Sequence, residues 1–278
     1  MRDSRGDGIG NLRAVGHVFW VVVIFVLGAC IGSFLNVVMS RTSAGKSVVH
    51  GRSQCRSCAR LIEARDLIPV LSYVLLHGRC RHCHSSISWQ VPAVEIATGI
   101  LFVVLYLVVS APSNDDVGPV YQSVNLLRVW MFAAYLIVIF VYDLRYMLIL
   151  DRFTIPAMLL AVTLNLWMGT LPAGSILAGG AVLAGFFWIQ FAFSKGTWVG
   201  GGDIRMGALM GCMLGFQQGL VALFLAYVMG AIVGVAMMAG GKATRKTPVP
   251  FGSFMAVSTV IVLLVGQHMM DWYLGLFL

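Results

Sequence analysis

Long apolar runs alternate with short polar connections along this chain, and one polar stretch is much longer than the rest. Eight apolar runs stand out, at 18–39, 91–109, 124–142, 153–169, 173–193, 204–217, 219–239 and 254–274. About 20 helical residues cross a hydrocarbon core, so each run predicts a transmembrane helix. The sixth is the shortest and is rich in glycine. Gly207, Gly211, Gly215 and Gly219 recur every four residues, and Gly28/Gly32 and Gly230/Gly234 share that interval. Small residues so spaced let helix backbones approach closely in lipid. The predicted fold class is an all-α polytopic integral membrane protein of about eight transmembrane helices with a small insert at 40–90.

Composition agrees and excludes the alternatives. Of 278 residues, 59% are hydrophobic and 11% charged, against about 25% charged in soluble domains. A soluble globule of this size could not cover its surface with so few charges, and a disordered chain would be far less apolar. The net charge of +8 raises nucleic acid or an anionic surface as partners, and the positions of the charges choose between them. Fifteen of the 19 bases fall on alternate connections, eight of them in the insert: Arg41, Lys46, Arg52, Arg56, Arg60, Arg65, Arg79 and Arg81. The others are Arg2, Arg5, Arg13 and Arg128. Basic loops stay in the cytoplasm, which places the insert there and, with eight spans, both termini outside. The expected partner of the charge is therefore the anionic headgroups of the lipid bilayer, with no nucleic acid. Leu27-Gly-Ala-Cys30 resembles a lipoprotein cleavage box, but the apolar run continues to Met39, so a retained first span is expected.

The insert carries Cys55-Arg-Ser-Cys58 and Cys80-Arg-His-Cys83, with 21 residues between the pairs. Two such pairs form two knuckles that close a tetrahedral Cys₄ zinc shell, with His82 and His84 as substitutes to be weighed. A polar segment this short has little core of its own, so a metal staple suits it. A reducing cytoplasm argues against disulfides. A closed four-ligand site is structural, so the zinc is expected to do no chemistry. Cys30 and Cys212 lie in spans as apolar filler.

With 11 acids in the chain, their positions are informative, because carboxylates at membrane depth are costly. Asp143 ends the third run and Asp203 opens the sixth, on the same expected side. If those spans are neighbours, the two carboxylates share one depth. Such a pair holds one proton between them, giving a base that activates water and an acid that protonates the scissile group. A weaker hint is that Asp203, at a helix N-terminus, is the ionised partner. The bland alternative is two interfacial acids paired with Arg145 and Arg205. Glu95 is expected to pair with a base of the insert, Asp151 to cap the fourth span, Arg128 to snorkel outward, and Asn36 and Asn165 to bond between helices.

Taken in order, these residues resemble a known family. Gly32-Ser-Phe-Leu-Asn-Val-Val38, the two knuckles with Asp66-Leu-Ile-Pro-Val-Leu-Ser-Tyr73 between them, Gly78-Arg-Cys80, Ile87-Ser88, Glu95, Asp143-Leu-Arg145, Gly200-Gly-Gly-Asp203 and Pro250-Phe-Gly252 look like a bifunctional type IV prepilin peptidase/N-methyltransferase, an inner-membrane GxGD aspartic protease of bacteria. The resemblance covers roughly residues 30–275 and implies Asp143 and Asp203 as catalytic. It implies cleavage of the basic leader of prepilins or pseudopilins at the cytoplasmic face. It further implies methylation of the new N-terminal amine with S-adenosylmethionine, with Gly78 and Arg79 implicated in methyl transfer. The chain departs from the pattern at Leu150 and Ser253, where prolines are usual, at Arg205, where lysine is usual, and after Cys55, where a proline is absent. The expected organisation is a tail at 1–17, a first span at 18–39, the Cys₄ insert at 40–90 and a seven-helix peptidase domain at 91–278. Two rivals remain at this point: a peptidase whose methyl transfer has been lost, and a zinc-stapled transporter or scaffold.

Overall fold

Runs of Leu, Val, Ile and Phe this long form helices in lipid because every backbone N–H and C=O must then be paired within the segment. A computed structural model describes residues 4–111, 118–241, 244, 247 and 249–276, with side chains from residue 16 onward. Its elements are α1 (Ser4–Ser43), a 3₁₀ turn (Ala64–Leu67), α2 (Leu71–Leu75), α3 (Gln90–Val109), α4 (Pro119–Tyr146), α5 (Asp151–Met168), α6 (Ala173–Ser194), α7 (Gly201–Ala239) and α8 (Phe251–Gly275), with no strand among the described residues. Asp115, Asp116 and the bases Lys242, Arg245 and Lys246 lie outside the described residues. The eight expected runs fall on seven long helices. Six of these, all but α5, are long and apolar enough to cross a membrane. α5 opens on Asp151-Arg152 and carries Asn165, which dilutes its apolar run.

The chain divides into two compact units, residues 1–111 and 112–278. In the first, α1 packs along α3. Gly28 and Gly32 sit where an added Cβ would come within 2.8 Å of the Gly99 and Glu95 Cα atoms, so their spacing serves a close helix pair. Asn36 bonds across this pair, donating to the Val91 carbonyl at 3.1 Å. The insert hangs between these two helices, and α1 extends back through most of the expected tail.

The second unit is built around α7. A straight helix of its 39 residues would measure about 58 Å, far more than one crossing needs. It is instead broken at Gly215 (φ 75°, ψ −171°), a backbone region that residues with a Cβ avoid. Beyond the break the chain turns back: a Cβ on Gly219 would lie 3.7 Å from the Gly211 Cα, where an unbroken helix separates them by about 12 Å. Thus α7 holds both the sixth and the seventh expected runs. A break inside lipid leaves backbone groups without helical partners, and side chains take them up. Asn165 donates to the Cys212 and Met213 carbonyls at 2.8 and 3.3 Å, and Ser175 Oγ accepts the Phe216 N–H at 3.0 Å. Arg128 does not simply snorkel. It bonds to Asn165 Oδ1 and, at 3.0 Å, to Thr170 Oγ1, bracing the same corner.

The glycine repeat has a second use where α6 crosses α7. A Cβ on Gly211 would run into the Gly179 backbone, whereas Gly234 faces open space. Gly211→Val should therefore cost about 3 kcal/mol and lower the melting temperature in detergent, while Gly234→Ala should leave it unchanged. Equal melting of the two variants would contradict this packing.

Candidate active site and cysteine cluster

Asp143 lies in the last turn of α4, 4% exposed. The helix ends just beyond it: Met147 takes the left-handed conformation and its N–H donates to the Asp143 carbonyl at 2.7 Å. The Asp143 side chain meets the start of α8. Its Oδ2 accepts the Ser253 N–H at 2.7 Å and lies 3.0 Å from Ser253 Oγ. The Ser253 N–H belongs to the first turn of α8, where amides lack i−4 acceptors, and its only other bond is a longer one, 3.3 Å, to the Pro250 carbonyl. Asp143 therefore caps α8 from a neighbouring helix. Asp203 lies in the first turn of α7 and its Oδ2 accepts the Gly200 N–H at 3.0 Å. Both aspartates thus stand at helix N-termini, so the hint that favoured Asp203 as the ionised partner does not separate them.

One side chain links the two positions. Ile149, in the α4–α5 connection, fills the space over Gly202, where an added Cβ would meet its Cβ at 2.8 Å. The same residue lies against Gly252, where a Cβ would come within 2.5 Å of Ile149 Cδ1 and 3.1 Å of Asp143 Cγ. Gly202 adjoins Asp203 in sequence, so the two aspartates flank Ile149. Arg205 pairs with Asp151 rather than with Asp203. Asp151 is also not the cap that the sequence suggested. Leu150 stands at that position and no side-chain cap forms, because the carboxylate is spent on Arg205.

Aromatic residues border the acids. Tyr227 lies 4.8 Å from Phe251, centroid to centroid, and donates its hydroxyl to Gln190 Oε1 at 3.3 Å. Ile149, Ser253 and Tyr227 were not singled out as site residues from the sequence. Nothing in an apolar run marks which of its members faces an acid, although Pro250-Phe-Gly252 did point to the start of α8.

In the first unit the expected knuckles form and are near copies of each other. Cys55 N–H donates to the Arg60 carbonyl and Ala59 N–H to the Cys55 carbonyl; Cys80 to Ser85 and His84 to Cys80 repeat the pattern, all at 2.9–3.0 Å. Antiparallel bridges Gln54–Leu61 and Arg79–Ser86 close each knuckle. The ligand atoms of Cys55, Cys58, Cys80 and Cys83 lie within 4.8 Å of one another, and Cys55 and Cys83 sulfurs are 3.7 Å apart. A tetrahedron with metal–sulfur bonds of about 2.3 Å has edges of about 3.8 Å, so these residues fit zinc. Crowding without a cation splits the thiol acidities. Backbone N–H groups of Cys58 and Ser57 pull the Cys55 thiol down to about 6, and the Ser85 hydroxyl lowers Cys83. The Arg60 N–H favours the Cys58 thiolate, but desolvation and the adjacent Cys55 and Cys83 thiols outweigh it and push Cys58 up to about 11. Four thiolates so close need a cation among them. His82 and His84 are outside this cluster.

Asp66 braces the second knuckle through a forked pair with Arg81 at 2.6–3.2 Å, which holds its carboxyl below the usual 3.8. Glu95, 4% exposed, meets the insert, but not through a base: its Oε2 accepts the Val70 N–H at 2.7 Å. Gly78 is buried and adopts φ 68°, where a Cβ would press on the Tyr73 ring at 3.0 Å. Its N–H donates to Tyr73 and its carbonyl accepts Ile87 N–H. Arg79 is exposed beside it. Gly78 is thus held by the fold of the knuckle.

Comparison with known proteins follows the same division. A model described as the bacterial peptidase A24 N-terminal domain matches residues 26–109, and one described as the type IV leader peptidase family matches residues 130–235. A prepilin leader peptidase/N-methyltransferase of Bacillus subtilis (strain 168) is 30% identical over 257 residues, covering 91% of this chain and 97% of its own length. Proteins of the same name from Aeromonas salmonicida (strain A449) and Burkholderia pseudomallei (strain 1026b) are 29% and 30% identical, covering 91% and 87% of this chain and 93% and 84% of their own lengths. No solved structure matches. The matched segments carry the two features built above, the cysteine knuckles in one and the aspartates in the other, and the chain belongs to the type IV leader peptidase family.

Proposed function

We propose that this protein removes the basic leader of prepilins or pseudopilins and methylates the new N-terminus, and that Asp143 and Asp203 perform the cleavage. The observation that supports the reading is that Ile149 packs both on Gly202, next to Asp203 at the start of α7, and on Gly252, which lies against the Asp143 carboxyl at the end of α4. One aspartate takes a proton from water as the water oxygen adds to the scissile carbonyl carbon. The other donates a proton to the departing nitrogen, and the two then exchange roles to reset. With α5 counted as one crossing and α7 as two, the chain crosses the bacterial inner membrane eight times. The basic insert then lies on the cytoplasmic side, where prepilin leaders reside, against anionic headgroups.

Methyl transfer is assigned to the unit that bears the knuckles, with S-adenosylmethionine as donor. Bound S-adenosylmethionine would supply an electrophilic methyl group. Gly78 and Arg79, which open the second knuckle, are the residues assigned to that transfer. Zinc at Cys55, Cys58, Cys80 and Cys83 cross-links the insert and leaves no coordination position open for chemistry.

The test is full-length protein in lipid with a prepilin and the methyl donor, followed by the mass of the pilin N-terminus. Loss of the leader with gain of one methyl is expected. A cleaved, unmethylated product would support the peptidase-only reading, and an intact prepilin would refute the proposal.

A further inference from the structure

Ser253 makes an unusual pair of bonds. It offers two donors, its N–H at 2.7 Å and its hydroxyl at 3.0 Å, to the same oxygen, Asp143 Oδ2. A carboxylate oxygen carries two lone pairs, so these two donors fill Oδ2. The hydroxyl has a second acceptor within reach, the Phe140 carbonyl at 3.2 Å, one turn earlier on α4. Ser253 is 3% exposed, so water does not substitute for it. Backbone anchors both ends of the arrangement: Ser253 N–H is fixed by α8, and Asp143 by the helical turn before Met147.

We propose that Ser253 is a positioning residue of the peptidase centre. It reserves Oδ2 of Asp143 as a held oxygen, so that Oδ1 is the oxygen that exchanges protons with water and substrate. When Asp143 is ionised, the hydroxyl points at Oδ2. When Oδ1 takes the proton released by the attacking water, Oδ2 becomes a weaker, carbonyl-like acceptor and the hydroxyl turns to the Phe140 carbonyl. The return of the proton reverses the turn. No heavy atom has to move, so the carboxylate keeps its orientation through both protonation states. This inference rests on the reading of Asp143 as part of the peptidase dyad.

The test compares Ser253→Ala, Ser253→Val and Ser253→Thr in the full-length protein, assayed for prepilin cleavage. Thr and Val match in shape and differ in the hydroxyl, so the comparison survives if the Ala variant folds badly. Ala and Val should lower kcat about 10- to 100-fold with KM nearly unchanged, and Thr should recover most of the rate. The pH–rate profile of the Val variant should be displaced from that of the wild type, a shift that a merely structural role would not produce. Ser258→Ala is the control: it removes another buried hydroxyl of α8, one that bonds within the helix to Met255, and should leave kcat and the profile in place. Wild-type kcat and an unmoved profile in both Ala and Val would overturn the proposal. Failure of the wild type to cleave would instead refute the peptidase reading beneath it.

Discussion

Asp143→Asn and Asp203→Asn should each lower leader removal by about 10³-fold, with little change in melting temperature. The amide keeps the size of the carboxylate, and each side chain can still accept the hydrogen bonds that hold it, from Ser253 and from Gly200. What is lost is the capacity to take and return a proton at the water and the leaving nitrogen. Single-turnover cleavage of a prepilin, beside a melting curve for each variant, separates the two effects. A variant that melts like the wild type and cleaves at its full rate would remove that aspartate from the mechanism. Arg205→Gln is the useful companion, because Arg205 pairs with Asp151 rather than with either member of the dyad. Its effect should be small.

The second large effect concerns the insert. Removing the metal, or Cys55→Ser with Cys80→Ser, should unfold the segment between α1 and α3. The insert contains only isolated bridges, one five-residue helix and a 3₁₀ turn. Leu61, Leu67, Ile68, Leu71, Val74 and Leu75 remain exposed. Such a segment has little apolar burial to replace a metal centre that contributes about 10 kcal/mol or more. Metal analysis should find one zinc per chain in the wild type and none in the double variant. Limited proteolysis should then cut within 44–89, and methyl transfer should fall. A metal-free wild type that resists proteolysis would contradict the staple.

The sequence carried a good deal of this, for identifiable reasons. Lipid demands long unbroken apolar runs, so the helices were visible within about five residues of their ends, except that α1 starts at Ser4, well before its apolar run at 18–39. Cysteine pairs have fixed metal spacing, and the four thiols do converge. Acids are rare in a membrane chain, so Asp143 and Asp203 stood out. The turn inside α7 was half visible: the two runs at 204–217 and 219–239 were separated correctly, but the reversal depends on Gly215 and on Asn165 and Ser175 from other helices. Pairings between distant elements were read poorly. Glu95 was expected to meet a base and meets the Val70 amide. Asp151 was expected to cap a helix and binds Arg205. Ser253 looked like a lost proline, yet it supplies two donors to Asp143. In each case the partner lies far along the chain, where periodicity carries no information.

The central claim is that two carboxylates from separate helices act as one catalytic unit. A double-mutant cycle tests it most directly, with cleavage rates for Asp143→Asn, Asp203→Asn and the two together. Residues that act as a unit are strongly non-additive. The double variant is predicted to be no slower than the slower single one. Losses that multiply, each aspartate contributing independently of the other, would contradict the account.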